Sequence, residues 1–187
     1  MMRVITGSAR GRRLETLPGE DVTRPTTESV KEALFSMIQF DIEGRRVLDL
    51  FAGSGQLGIE ALSRGAASAV FVEQRRDAVA LIRENLKLTG LSERARVVNG
   101  EALAYLASAG EKFDQIFLDP PYAAKLWKPV LEAVSRFDIL SDHGIMICES
   151  PQDEELPDAV GACRLHRAYR YGRIKLTTYH REEELSE

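Results

Sequence analysis

The segment Val47-Leu48-Asp49-Leu50-Phe51-Ala52-Gly53-Ser54-Gly55 decides the fold of this chain. An apolar run that ends in an acid and enters a glycine-rich turn is typical of a buried strand followed by a helix. A second apolar run, at 113–118, leads into Asp119-Pro120-Pro121-Tyr122. Because ligands of open α/β sheets bind at the carboxyl ends of the strands, we expect both segments at one site.

Apolar runs and amphipathic segments alternate along the rest of the chain. The pattern predicts strands at 46–50, 69–73, 95–99, 113–118 and 144–149, and helices at 28–39, 56–64, 75–89, 101–108 and 125–136. Continuous apolar runs favour a parallel sheet covered on both faces. Residues 163–171 and 173–181, around Gly172, predict an antiparallel C-terminal hairpin. Residues 2–5 and 13–17 predict a small N-terminal β-hairpin. The class is therefore doubly wound α/β.

Length and composition narrow the class of protein. A chain of 187 residues fits a single domain, and 44% hydrophobic with 29% charged residues is an ordinary globular composition. No apolar run reaches the roughly 18 residues of a membrane span, and the N-terminus has no signal-peptide core. Two cysteines, Cys148 and Cys163, and three histidines form no metal-binding pattern. We expect a cytoplasmic protein without a metal or membrane partner.

The charges are unevenly distributed. Residues 1–13 contain Arg3, Arg10, Arg12 and Arg13 without an acid, and residues 164–181 contain six basic residues without an acid, although the formal net charge is −4. Two basic ends on an acidic body predict a local patch that binds a polyanion, provided that the two ends meet in the fold.

The glycine turn also matches the fingerprint of dinucleotide-binding domains, because Gly53-x-Gly55-x-x-Gly58 follows a strand and opens a helix. Asp49 argues against a dinucleotide, since a carboxylate that points into the turn repels a pyrophosphate. The same carboxylate attracts an ammonium group and a sulfonium. S-adenosylmethionine carries both cations and no phosphate, so we predict it as the cofactor.

The cofactor's other groups suggest further contacts. Gly53 and Gly55 allow the backbone to approach the methionine part closely, and Glu73, at the end of the next strand, is placed to accept the two ribose hydroxyls. Glu101 is placed to accept the adenine amino group, and Ala102 offers a backbone N–H. The candidate cofactor-binding residues are Asp49, Phe51, Gly53, Gly55, Glu73, Glu101 and Ala102.

The segment Asp119-Pro120-Pro121-Tyr122 suits the methylation of a planar amine. The nitrogen of such an amine is a poor nucleophile, because its lone pair is delocalised into the ring. Asp119 and the Pro120 carbonyl supply two acceptors that orient the amine and stabilise its developing charge. The prolines stiffen the loop, and Tyr122 stacks on a base that has left its helix.

These motifs together resemble the class I S-adenosylmethionine-dependent methyltransferases, and more narrowly the bacterial family that methylates guanine N2 in small-subunit ribosomal RNA. The resemblance covers nearly the whole chain. It includes Arg3–Gly7, Arg10-Gly11-Arg12, Arg24-Pro25-Thr26-Thr27, Val30–Phe35, Leu48–Gly55, Leu57–Ala66, Asp119–Tyr122, and Tyr171-Gly172 with Leu176 and Tyr179.

The resemblance implies a Rossmann-like fold with a mostly parallel sheet of seven strands. It also implies that Asp119 through Tyr122 receive the guanine amine, that residues 28–187 form the catalytic core, and that residues 1–27, with Arg24, face RNA. The family's preference for a ribosomal assembly particle implies such a particle as the partner, and not DNA. Adenine-N6 or protein-glutamine methylation, a non-catalytic RNA-binding assembly factor and a dinucleotide-dependent oxidoreductase are the alternatives.

Overall fold

The computed structural model describes residues 2–17, 28–121 and 125–181. Helices and strands alternate along these ranges. The helices are α1 (Glu28–Met37), α2 (Gln56–Ser63), α3 (Arg76–Thr89), α4 (Ala102–Ser108) and α5 (Trp127–Arg136). The strands are β1 (Arg46–Asp49), β2 (Ser68–Glu73), β3 (Ala95–Asn99), β4 (Phe113–Leu118), β5 (Leu140–Pro151), β6 (Ala159–Val160), β7 (Cys163–Tyr171) and β8 (Ile174–Arg181).

The strands form one sheet in the order β3-β2-β1-β4-β5-β8-β7-β6. The first five strands in this order pair in parallel, and β8, β7 and β6 join them as antiparallel neighbours. The predicted fold class is therefore confirmed, including the C-terminal hairpin. The sheet has eight strands and not seven, because the two-residue β6 pairs with β7 at the edge. Strand β5 also begins earlier than predicted, since Leu140 pairs with Phe113 ahead of a register shift.

A separate apolar core covers each face of the sheet. Helices α1, α2 and α3 pack on the face that presents Val47 and Phe71, whereas α4 and α5 pack on the face that presents Leu48 and Val72. Successive strand residues point to opposite faces, so a continuous apolar run supplies both cores. None of the helices in the described ranges is long and apolar enough to cross a membrane.

The N-terminal segment is a turn whose two arms pair in antiparallel fashion as predicted, but over a shorter stretch. A single β-bridge joins Arg3 and Arg13, the Val4 N–H donates to the Arg12 carbonyl at 2.9 Å, and the Leu14 N–H donates to the Met2 carbonyl at 3.0 Å. The pairing stops there because the Ile5 and Thr6 N–H groups donate to Glu60 on helix α2 and the Glu15 N–H donates to Asn85 on helix α3.

The Glu60 carboxylate on α2 fixes this segment. It is fully buried and accepts the N–H groups of Ile5 at 2.8 Å and Thr6 at 3.0 Å. Arg64 donates Nε to the same carboxylate at 2.9 Å, and the buried Lys31 ammonium lies 3.5 Å from it. Buried charges are stable only when they are paired and hydrogen-bonded. The N-terminal segment is therefore part of the folded core.

This network predicts the effect of replacing Glu60. In Glu60→Ala, two backbone amides lose their acceptor and Lys31 becomes an unpaired buried charge. We expect the free energy of unfolding in urea to fall by about 3–5 kcal/mol. The matched control, Glu84→Ala, removes an exposed glutamate from α3 and should change stability by at most about 0.5 kcal/mol. Equal effects of the two changes would contradict the anchoring role of Glu60.

Candidate active site

A cavity of about 600 Å³ opens at the carboxyl ends of β1, β2 and β4. This volume lies within the range of small-molecule sites. Six of the residues predicted from the sequence line the cavity, and they come from four separate parts of the chain. These six are Phe51, Gly53, Glu73, Glu101, Ala102 and Pro121.

Asp49 lies behind the cavity and not in its wall. It is 3% exposed, and its Oδ2 accepts the Gly58 N–H at 2.9 Å. Burial raises the pKa of Asp49 to about 7; the Gly58 hydrogen bond opposes this shift, and the charges of Asp119 and Glu73 add to it. Asp49 is thus a buried acid whose ionisation a nearby cation would favour.

The glycine loop takes its shape from left-handed backbone conformations. Gly53 and Gly55 have φ of 55° and 80°, a region that favours glycine. The Gly53 N–H donates to Glu73 Oε2 at 2.9 Å, and the Arg75 N–H donates to Oε1 at 2.8 Å. A carboxylate has about four acceptor sites, so Glu73 is held in place and retains lone pairs that can bind a ligand's hydroxyl groups.

Asn85 supports the loop from the opposite side, and the sequence analysis did not identify it. Its fully buried amide donates Nδ2 to the carbonyls of Ser54 at 2.9 Å and Glu15 at 3.0 Å. Its Oδ1 accepts the Glu15 N–H at 2.8 Å. One side chain thus joins the glycine loop to the N-terminal segment. The sequence contained one signal for it: Asn85 is a polar residue on the apolar face of α3, next to Leu86 and three positions after Ile82.

The far end of the cavity combines polar and apolar groups. Glu101 is exposed and precedes α4, and its side chain makes no capping hydrogen bond to that helix. Its carboxylate is therefore not used as a helix cap. Leu103, Leu126 and Val130 add apolar walls that sequence reasoning did not single out. Apolar walls with a few polar groups suit a flat ring system.

The predicted amine-binding segment follows directly after β4. Asp119 is partly exposed, Pro120 is buried, and Pro121 is exposed and lines the cavity. Asp49 ends β1 and Asp119 follows β4, the strand that pairs with β1, and the charge of Asp119 helps to raise the pKa of Asp49. Tyr122 lies outside the described residues.

The N-terminal arginines differ in their surroundings. Arg3 Nε lies 2.5 Å from Glu28, so its charge is partly neutralised. Arg10, Arg12 and Arg13 are exposed. These three make no ion pair within the part of the chain that the structure describes. Arg24 lies outside the described residues. The structure therefore groups three exposed cations on the N-terminal turn.

Comparison with known proteins identifies the family. The family model described as conserved hypothetical protein 95 matches residues 2–180. The Bacillus subtilis protein YlbH, provisionally named an rRNA methyltransferase, is 41% identical over 181 residues, which cover 95% of this chain and 98% of that protein. Ribosomal RNA small subunit methyltransferase D of Escherichia coli K12 is 36% identical over 181 residues, 97% of this chain and 90% of that protein.

Solved structures agree with this relationship. The Escherichia coli protein yhhF, provisionally titled a methyltransferase, superposes with a TM-score of 0.85 at 36% identity, over 98% of this chain and 99% of that chain. A hypothetical protein from Thermus thermophilus superposes with a TM-score of 0.81 at 31% identity, over 95% and 98% of the two chains. This chain belongs to the conserved hypothetical protein 95 family, the family of ribosomal RNA small subunit methyltransferase D.

Proposed function

We propose that this protein transfers a methyl group from S-adenosylmethionine to the exocyclic N2 amine of a guanine in small-subunit ribosomal RNA. One observation carries the proposal: the glycine-loop cavity and the Asp119 segment meet at one edge of the sheet, and Pro121 lines that cavity. The relatives named as ribosomal RNA methyltransferases support the substrate class. The amine and the base are inferred from chemistry and from the resemblance.

The cavity residues suit the proposed cofactor. S-adenosylmethionine supplies an electrophilic methyl group on a positively charged sulfur. We expect the cations to lie near Asp49, which is behind the cavity, and near Asp119, two residues before the lining residue Pro121. Glu73, fixed by two backbone N–H groups, is placed for the ribose hydroxyls. Glu101 and Ala102, with the neighbouring apolar walls, are placed for the adenine ring.

The Asp119 segment is proposed to receive the base. The Asp119 carboxylate and the Pro120 carbonyl accept the two N–H bonds of the amine, which turns its nitrogen towards the methyl group. The carboxylate would also stabilise the positive charge that develops on nitrogen as it bonds to the methyl carbon and the methyl–sulfur bond breaks, and the surplus proton on nitrogen would then pass to this carboxylate or to water. A guanine inside a duplex cannot reach this position, so the target is unstacked, with Tyr122 as its stacking partner.

We further propose that residues 28–187 form the catalytic core and that residues 1–27 face the RNA, within a small-subunit assembly particle. Exposed arginines neutralise phosphates without reading sequence. The three exposed arginines on the N-terminal turn support this orientation, as does the anchoring of the turn beside the glycine loop through Asn85.

Cofactor binding should be linked to the protonation of Asp49. Its pKa of about 7 leaves the carboxyl about half protonated at pH 7, and a cationic ligand lowers that pKa. We expect the wild type to release up to about half a proton more per cofactor than Asp49→Asn at pH 7, and about the same number at pH 8.5, because the cofactor's amino group titrates alike in both proteins. Calorimetry in buffers of different ionisation enthalpy measures this release. Asp49→Asn should bind the cofactor more weakly without this additional proton release; the same release in both proteins would exclude Asp49 as its source.

Asp119→Asn tests the proposed reaction. The variant keeps the size of the side chain and loses the negative charge. We expect kcat to fall by about 100- to 1,000-fold, with cofactor affinity changed by much less, when undermethylated small ribosomal subunits are the methyl acceptor. Asp153→Asn, in an exposed loop, is the matched control and should retain full activity. Retention of wild-type kcat by Asp119→Asn would favour the non-catalytic assembly factor.

The RNA-facing turn is tested by the double change Arg10→Ala and Arg12→Ala. We expect weaker RNA binding, with the slope of log affinity against log salt reduced by roughly one unit for each phosphate that is no longer neutralised. The control double change, Arg76→Ala and Arg83→Ala, removes two exposed arginines from α3 and should leave the slope unaltered. A loss of cofactor affinity at an unaltered slope would refute the assignment of the turn to RNA.

A further inference from the structure

A second cavity, of about 410 Å³, lies at the opposite edge of the sheet. It is bordered by the end of α1, the amino ends of β4 and β5, and strands β7 and β8. The chain contains three histidines, and all three, His143, His166 and His180, line this cavity. No part of the proposed methyl-transfer reaction uses it.

A buried amide forms part of the cavity lining. Gln115 on β4 is 1% exposed, and its Nε2 donates to the Asp41 carbonyl at 2.8 Å. Its Oε1 accepts no hydrogen bond from any described residue. An unsatisfied buried acceptor costs about 1–3 kcal/mol, so a hydrogen-bond donor supplied by a bound molecule would be stabilised at this point.

Flat rings form one wall of the cavity. The imidazoles of His166 and His180 meet edge to face, with centroids 4.6 Å apart, and Tyr169 lies in the same wall. Exposed aromatic rings beside a polar cavity are typical stacking surfaces for unpaired bases.

Two arginines supply positive charge at the cavity. Arg45 donates Nε to the Asp41 carbonyl at 3.2 Å, and Arg167 donates to the Tyr169 hydroxyl at 3.1 Å. Each guanidinium has five N–H donors, so each retains donors beyond the one used in this bond. Asp114 also lines the cavity, but its carboxylate already accepts the Arg46 N–H at 2.8 Å and the Ser141 hydroxyl at 2.7 Å.

We propose that this cavity binds an unstacked nucleotide of the RNA substrate, separate from the guanine that is methylated. The base would lie against the His166, His180 and Tyr169 rings, with an N–H group directed towards Gln115. The phosphate would bind Arg45 and Arg167. That the bound nucleotide belongs to RNA rests on the proposed function. The two cavities lie at opposite ends of β4, whose six residues span about 20 Å. The second nucleotide therefore lies elsewhere in the RNA.

The pKa of His180 should change when a nucleotide binds in the cavity. Burial lowers the pKa of His180, the neighbouring His166 lowers it further, and Asp41 opposes the shift. A bound phosphate would favour the imidazolium form and raise that pKa. The other charged or titratable groups around this cavity are Asp41, Arg45, Asp114, His143, His166, Arg167 and Tyr169.

The first test uses the wild-type protein with ¹⁵N-labelled histidines, because every histidine signal then comes from this cavity. Each nucleoside monophosphate, inorganic phosphate, guanosine and S-adenosylmethionine are titrated separately. We expect at least one nucleotide to shift the His166 and His180 signals saturably, to raise the pKa of His180, and to bind about tenfold more tightly than phosphate or guanosine alone. No shift, or equal binding of phosphate alone, would overturn the proposal.

The second test compares Arg167→Ala with Arg83→Ala in RNA methylation. Both arginines are exposed, but Arg167 lines the cavity whereas Arg83 lies on α3 and does not. We expect Arg167→Ala to raise the KM for RNA about tenfold at unchanged kcat and cofactor affinity, and Arg83→Ala to match the wild type. Equal KM values would overturn the proposal. If the wild-type protein methylates no RNA, the proposed function fails, and the histidine titration still decides whether the cavity binds nucleotides.

Discussion

The hydrogen bond from the Gly58 N–H to the Asp49 carboxylate is the contact on which the candidate site depends. It joins the last residue of β1 to the first turn of α2 and thereby closes the glycine turn between them. Gly58 also allows α2 to pack against β2, since a Cβ at this position would lie 2.3 Å from the Phe71 ring. The closed turn directs the Gly53 N–H to Glu73. Burial of a carboxylate is costly, and here it gives the cavity a group with a pKa that responds to a cation.

The N-terminal turn and the glycine loop form one connected structure. Glu60 holds the turn through two backbone N–H groups, and Asn85 binds both Glu15 and the Ser54 carbonyl. The Glu60 and Asn85 side chains are fully buried, so these contacts are not weakened by water. If RNA binds the turn, as proposed, a displacement of the turn would be transmitted through Asn85 to the glycine loop. RNA docking and cofactor binding would then influence each other.

Much of the fold and part of the site follow from local sequence patterns. Strands β3 and β4 begin and end as predicted, because each is a short segment containing Val, Ile or Phe that is followed by a turn-forming residue, Gly100 or Pro120. Gly53, Glu73 and Glu101 meet in the cavity because each lies at the end of a strand, or just after one, and these strands end at the same edge of a parallel sheet. The N-terminal hairpin is shorter than predicted, since nothing local shows that Glu60, more than fifty residues later, accepts the N–H groups of Ile5 and Thr6. Asn85 and the histidine cavity were also missed, because both depend on contacts between distant segments.

The central claim is that the edge containing Asp49 and Asp119 methylates a guanine amine in ribosomal RNA. The most direct measurement identifies the nucleoside that receives the methyl group. Undermethylated small ribosomal subunits are incubated with the protein and isotopically labelled S-adenosylmethionine, and the RNA is then digested and resolved by mass spectrometry. Label in N2-methylguanosine is the predicted result. Label in methyladenosine or in protein, or no label in any product, would contradict the account.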